Sequence, residues 1–217
     1  MPRFVVWDLD GTLIDSGADI AVAANAARSS LGLEPLPESV VRGYIGEGAK
    51  RLMEQVIGES RSLHDQERGL ELFLEHYGRT GFPHTRPYDG IDALVRGLSG
   101  RQAIATNKPS RFSHEIVGQL GWTSLFRSIV AGGDVPRRKP APDAVHEVLR
   151  RCDVRSQDAV FVGDSPIDLA TAKAAGIDLI AVSWGLRPRH ELLEAPAIVD
   201  TVAELEEALV RLDGFAC

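Results

Sequence analysis

The segment "FVVWDLDGTL" (4–13) is an apolar run that ends in two aspartates, Asp8 and Asp10, at a glycine turn. Later runs of the same kind end in Thr106-Asn107-Lys108, near Asp134, and in Asp164, with Asp168 four residues on. Lys139 stands in "RRKPAPD". A carboxylate can attack an electrophile or carry a proton. Carboxylates crowded together repel unless a cation joins them, and oxygen-only ligands suit a hard ion, Mg²⁺ above all. A solvated Asp-Gly turn is the plain alternative for "DLDGT". Against it, a strand starting at residue 4 should end near the middle of a sheet, where an unpartnered buried charge costs several kcal/mol. A calcium loop of the EF-hand kind is excluded, because its sixth position needs glycine and here holds Leu13.

These residues need a frame that brings their run-ends together. Six short, non-alternating apolar runs read as strands covered on both faces: "FVVWD" (4–8), "QAIAT" (102–106), "SIVAG" (128–132), "AVFVGD" (159–164), "LIAVS" (179–183) and "AIVD" (197–200). Helical patterns separate them, namely "IDALVRGL", "SRFSHEIVGQLG", "APDAVHEVLRRC" and "SPIDLATAKAAG", and "TVAELEEALVRL" comes last. The alternation predicts an α/β fold with a doubly wound parallel sheet, whose ligands bind at the carboxyl ends of the strands. Residues 16–83 break the alternation with "GADIAVAANAARSSLGL", "AKRLMEQVIG" and "SLHDQERGLELFLEHYGRT", all helical. They read as an all-helical unit, 16–83, inserted into a core of 1–15 and 84–217. Linker signals flank it at "DSG" (15–17) and "GFPHTRPYDG" (81–90).

The chain has 217 residues, 44% hydrophobic and 25% charged, with net charge −7, which disfavours nucleic acid and anionic membrane as partners. The apolar run at the start is too short for a signal peptide, and no 18-residue apolar stretch follows. Cys152 and Cys217 lie far apart, so neither a disulfide framework nor a zinc spacing is visible; a reducing, cytoplasmic setting is expected. The six histidines are scattered, with no His-x-x-x-His pair, and read as surface or core residues. Of 24 basic residues only Lys50, Lys108, Lys139 and Lys173 are lysine, so each draws attention.

"DLDGTLIDS", "ATNKPS", "RRKPAPD" and "GDSPIDLATAKAAG", in that order, resemble the four motifs of the haloacid dehalogenase superfamily. The resemblance spans nearly the whole chain and is specific when the four are taken together. It implies a Rossmann-like core with a helical cap inserted after the first strand. "TNKP", "GGD" (132–134) and the cap's "GEGAKRL" are most similar to its phosphoglycolate phosphatase branch. The implied activity is Mg²⁺-dependent hydrolysis of a small phosphate monoester, 2-phosphoglycolate first, by a monomer or homodimer. The resemblance gives Asp8 as nucleophile, forming an aspartyl-phosphate, and Asp10 as general acid and then base. The same resemblance gives Mg²⁺ held by Asp8, Asp164 and the Asp10 backbone carbonyl. Thr106 would donate to the phosphoryl group with help from Asn107, and Lys139 would balance the charge. Asp168 either supports the metal or caps its helix; Asp134 either contributes or closes a turn; Lys108 reads as a solvated loop lysine. The dehalogenase branch lacks an aspartate at the position of Asp10, so Asp10 argues for a phosphate ester.

Choice among esters falls to the cap. In "YIGEGAKRL", Gly46 and Gly48 precede Lys50, the only lysine of the insert. They suggest a loop that closes on the pocket, with Lys50 pairing the glycolate carboxylate; a solvated helix start is the alternative, and Arg42 is a weaker candidate for the same task. Related phosphatases for pyrophosphate, a nucleotide or a sugar phosphate stay open, as does a phosphomutase. A phosphonate-cleaving enzyme would use Lys50 as a Schiff base. A non-enzymatic phospho-receiver would have neither the insert nor the Asp8-x-Asp10 pair.

Overall fold

A computed structural model describes residues 3–214; Met1 and Pro2, at the start of the run weighed as a leader, and Cys217 lie outside the described residues. The elements run β1 (Phe4–Trp7), β2 (Ile14–Asp15), α1 (Gly17–Ser30), α2 (Glu38–Gly43), α3 (Ala49–Ile57), α4 (Leu63–Thr80), β3 (Arg86–Pro87), α5 (Ile91–Gly97) and β4 (Gln102–Pro109). They continue with α6 (Ser110–Gln119), β5 (Ile129–Gly132), α7 (Asp143–Cys152), β6 (Ala159–Gly163), α8 (Pro166–Ala175), β7 (Asp178–Val182), β8 (Ile198–Val199) and α9 (Val202–Gly214).

Six strands form one parallel sheet in the order β5-β4-β1-β6-β7-β8. All four residues of β1 are buried, Val5 and Trp7 in the core on one face and Phe4 and Val6 in the core on the other. That is why the run is apolar without alternating: both faces of a central strand are covered. Trp7 Nε1 donates to Gln102 Oε1 (3.0 Å), and Gln102 Nε2 donates to the Val95 carbonyl (2.6 Å), so the buried amide at the start of β4 is satisfied on both sides. The chain leaves β1 to build β4 and β5 on one side and β6 to β8 on the other. The crevice of a doubly wound sheet therefore opens at the carboxyl ends of β4, β1 and β6.

The predicted strands are those six, with β4 reaching three residues further than expected, through Lys108 to Pro109. Helices α1, α3 and α4 match the helical reading of the insert. Two things were not read. The six-residue α2 is too short to show a period. The insert's flanks, expected as linkers, pair as an antiparallel ribbon, Ile14 with Pro87 and Asp15 with Arg86. Further ties hold the same place: Arg42 bridges to Asp15 (3.0 Å), and the Asp19 carboxylate accepts from His84 N (3.0 Å) and Thr85 Oγ1 (2.7 Å). Arg42, weighed above for substrate, is engaged there and not at the sheet's crevice.

Candidate active site

Asp8 follows β1 directly, and its N–H donates to the Val162 carbonyl of β6 (2.9 Å), so the sheet itself fixes its backbone. The chain then doubles back: Leu13 N and Ile14 N both donate to the Leu9 carbonyl (3.0 and 3.1 Å). Gly11 sits in this turn at φ +88°, and a Cβ there would run into the Asp164 carboxylate. Glycine is needed for both reasons, and the turn brings Asp8 beside the end of β6. Asp164 Oδ1 accepts from Thr12 Oγ1 (3.3 Å) and Oδ2 from Leu186 N (2.7 Å). Asp168 closes a reciprocal cap with Ser165 at the start of α8 and turns its Oδ1 to Lys139 Nζ (2.7 Å).

Asp8, Asp164 and Asp168, all buried, each offer a carboxylate oxygen within 4.8 Å of the others. Lys139 Nζ lies 2.8 Å from Asp8 Oδ1, a buried oxygen to which no other group donates. Burial pushes Asp8 up to about 6, with Lys139 pulling back and Asp168 pushing further. Burial, then Asp168 and Asp8, push Asp164 up to about 8. Burial works against the charge on Lys139, yet Asp168 and Asp8 hold its ammonium above the usual lysine range. One ammonium thus faces three carboxylates, and a divalent cation would supply the missing positive charge. The donor set is all oxygen and carries this excess of negative charge, so the residues fit a hard cation.

A pH prediction follows from these shifts. Asp8 and Asp164 hold protons in the folded protein that the unfolded chain, near 3.8, gives up. Their contribution to stability is complete below about pH 4 and lost as pH rises through 6 to 8, at up to about 1.4 kcal/mol per pH unit for each proton. Melting in chelator should therefore fall between pH 5 and 8, and Mg²⁺ should flatten the fall. Chelated protein more stable at pH 8 than at pH 5 would contradict it.

The remaining candidates fall into three groups. Thr106 is buried at the same rim, and its Oγ1 accepts from Lys108 N (3.3 Å), leaving its own O–H to donate. Asn107 lines the cavity, but its side chain is committed. Its Nδ2 donates to the Lys139 and Gly46 carbonyls (both 3.0 Å), and its Oδ1 accepts from Lys139 N (2.9 Å). It holds Lys139 and the insert's glycine loop. Asp10, just past Asp8, turns its carboxylate away from the cluster: Oδ1 accepts from Ser16 Oγ (2.5 Å) and Lys108 Nζ (2.9 Å).

Two lysine expectations change. Lys108, read as a solvated loop residue, is only 5% exposed, because β4 carries it into the crevice. The signal was present in the sequence: a lysine in an arginine-rich chain, next to a strand end that already held two candidates. Lys50 goes the other way. Residues Ala49, Leu52, Met53, Val56 and Ile57 form the buried stripe of α3, and Lys50 lies off it, exposed and outside the cavity wall. Its glycines do reach the cavity. Gly48, at φ +87°, brings the loop so near that a Cβ would stand 3.0 Å from the Asn107 carbonyl. Asp134 accepts from Ala131 N (2.9 Å) and closes its own turn.

The cavity between β4 and the insert measures about 40 Å³. Asp8, Asp10 and Thr106 line it from the core, and Ile45, Leu52 and Phe73 line it from the insert. Carboxylate, hydroxyl and ammonium groups held this way suit transfer of a phosphoryl group.

A family model described as haloacid dehalogenase-like hydrolase matches residues 5–182. A phosphoglycolate phosphatase of Chromobacterium violaceum is 34% identical, over 95% of this chain and 96% of its own length. Phosphoglycolate phosphatase 1 of Pseudomonas aeruginosa is 36% identical, over 92% of this chain and 76% of its own. A solved structure from Lactobacillus delbrueckii subsp. bulgaricus superimposes with a TM-score of 0.87 at 29% identity, covering 96% of this chain and 98% of that one.

Proposed function

The chain belongs to the haloacid dehalogenase-like hydrolase family, and from that premise we propose that it is a Mg²⁺-dependent phosphatase of 2-phosphoglycolate working through a phosphorylated Asp8. The observation that carries the reading is the buried Asp8 Oδ1 held beside the Lys139 ammonium, with no other donor, in a three-carboxylate cluster. The substrate is taken from the names of the relatives, which are phosphatases of that ester.

Asp8 attacks phosphorus and the ester oxygen leaves. Asp10 gives that oxygen its proton, so glycolate departs neutral at the alcohol, and then takes a proton from the water that opens the aspartyl-phosphate. Lys139 spreads its charge over Asp8 and the incoming phosphate, and Asp168 and Asn107 keep it there. Thr106 donates to a phosphoryl oxygen. Bound by Asp8, Asp164 and the Asp10 carbonyl, Mg²⁺ would supply the charge that lets an anionic nucleophile meet an anionic substrate. Residues 16–83 act as the cap, with the paired strands β2 and β3 as its hinge. All of these side chains come from one chain, so a monomer suffices. No described helix is long and apolar enough to cross a membrane, and Cys152 is buried as a free thiol; both accord with a cytoplasmic enzyme.

The test is phosphate release from a panel of 2-phosphoglycolate, p-nitrophenyl phosphate, pyrophosphate, nucleotides and sugar phosphates, with and without chelator. Chelator should abolish release and Mg²⁺ restore it, while Ca²⁺, larger and looser in its ligation, should inhibit. Full activity in excess chelator would overturn the metal assignment. A higher kcat/KM on another ester would overturn the substrate, and phosphorylation without release of phosphate would indicate a receiver.

A further inference from the structure

Lys108 is unexplained by the chemistry above. Its ammonium is buried, donates to Asp10 Oδ1 and Oδ2 (2.9 and 3.2 Å) and to the Tyr77 hydroxyl of α4 (2.8 Å), and lies 4.8 Å from the Tyr77 ring centre. Among the described residues that line the cavity it is the one cation, since Lys139 belongs to the carboxylate cluster behind Asp8. Much of the rest of the lining is apolar, with Ile45, Leu52 and Phe73 from the insert and Phe112 from α6. An organic anion held there would find no cationic side chain in the described lining except Lys108.

We propose that Lys108, assisted by the Tyr77 hydroxyl, is the specificity-determining residue that binds a carboxylate on the substrate's leaving group. The inference rests on the phosphatase reading above. The geometry is what selects the position. Asp10 must reach the ester oxygen to protonate it, and Lys108 Nζ already touches the Asp10 carboxylate. In 2-phosphoglycolate one methylene separates the ester oxygen from the carboxylate, so a leaving group poised at Asp10 brings its carboxylate to Nζ. Asp10 need not be abandoned, because Ser16 Oγ also donates to it (2.5 Å). Tyr77 lies on the inserted helices and Lys108 on the sheet, so a carboxylate held by both also joins the two sides of the cavity. A neutral leaving group offers the ammonium nothing. Lys50, exposed on α3, is not needed for this recognition.

The experiment compares kcat/KM for 2-phosphoglycolate with that for ethyl phosphate, which lacks the carboxylate, in wild type, Lys108→Met, Lys108→Arg and Tyr77→Phe. Wild type should prefer 2-phosphoglycolate at least tenfold. Lys108→Met should lower both rates, since it also frees Asp10, but should shrink the preference about 10- to 150-fold, the value of a charged hydrogen bond. Free glycolate should lose inhibitory strength in the same variant. Tyr77→Phe should shrink the preference by a smaller factor, and Lys108→Arg should restore part of it, keeping charge on a different shape. A wild type without the preference would overturn the substrate reading. A wild type with it whose Lys108→Met variant keeps the ratio would overturn this inference and leave the phosphatase reading standing. If Lys108→Met does not fold, Lys108→Gln removes the charge with a polar side chain, and an unchanged ratio in Lys108→Gln overturns it.

Discussion

Asp8→Asn should remove turnover by at least about a thousandfold, roughly 4 kcal/mol of barrier, and should not destabilise the chelated protein. The amide cannot form an acyl-phosphate that water reopens, so the loss falls on kcat for every ester. Stability should move the other way from the usual effect of a buried substitution. Asp8 is a carboxylate that burial and Asp168 push up to about 6, so neutralising it relieves repulsion in the cluster with Asp164 and Asp168. Lys139 keeps Asp168 as partner at 2.7 Å. Melting in chelator at pH 8 should therefore be equal or higher than wild type, while the Mg²⁺-induced rise in melting temperature should shrink. A variant keeping more than about a tenth of the wild-type rate would remove Asp8 from the role of nucleophile. A variant inactive because it no longer melts cooperatively would mean that the carboxylate is structural.

The sheet was legible because its strands are covered on both faces. β1, β4 and β6 have every position buried up to the rim, so their runs are apolar but for Gln102, whose amide is hydrogen-bonded on both sides, and the chemistry-bearing residues stand out where each run stops. The alternation of strand and helix then placed Asp8, Thr106 and Asp164 on one rim before any side chain was seen. Short elements escaped for the opposite reason. β2 and β3 have two residues each and α2 has six, so no period develops, and what forms the two-stranded ribbon is pairing between residues some seventy apart.

Side-chain partners were legible only where they are local. The Ser165–Asp168 cap is three residues long in sequence and could be weighed from the spacing alone, but its second partner, Lys139, comes from another loop. Asn107 looked like a phosphate ligand because it neighbours Thr106. The glycine loop from residue 46 and the backbone of Lys139 both claim its amide, and neither claim is written near residue 107. Lys50 and Lys108 were ranked by position in the chain, one in the insert and one before a proline. The apolar stripe of α3 turns the first outward, and the unexpected length of β4 carries the second inward.

Lys139→Met should be the most destabilising change at the site, and its rescue separates charge balance from catalysis. Lys139 is 4% exposed and bridges Asp8 and Asp168. Removing one partner of a buried ion pair costs about 3–5 kcal/mol, which for a chain of this size lowers the melting temperature by roughly 6–20 °C. The loss should be greatest at high pH in chelator, where Asp8 and Asp164 are charged, and least near pH 5, where burial lets those two keep protons. Adding Asp168→Asn to Lys139→Met removes a like charge and should recover much of the stability, so the two changes should be far from additive. Turnover should not recover, because Asp168 touches Lys139 and the Ser165 cap whereas Lys139 brings positive side-chain charge to Asp8 Oδ1, the carboxylate proposed as nucleophile. Recovery of both stability and turnover in the double variant would mean that Lys139 only neutralises the cluster. Additive losses in stability would mean that the two side chains are not the pair their 2.7 Å contact indicates.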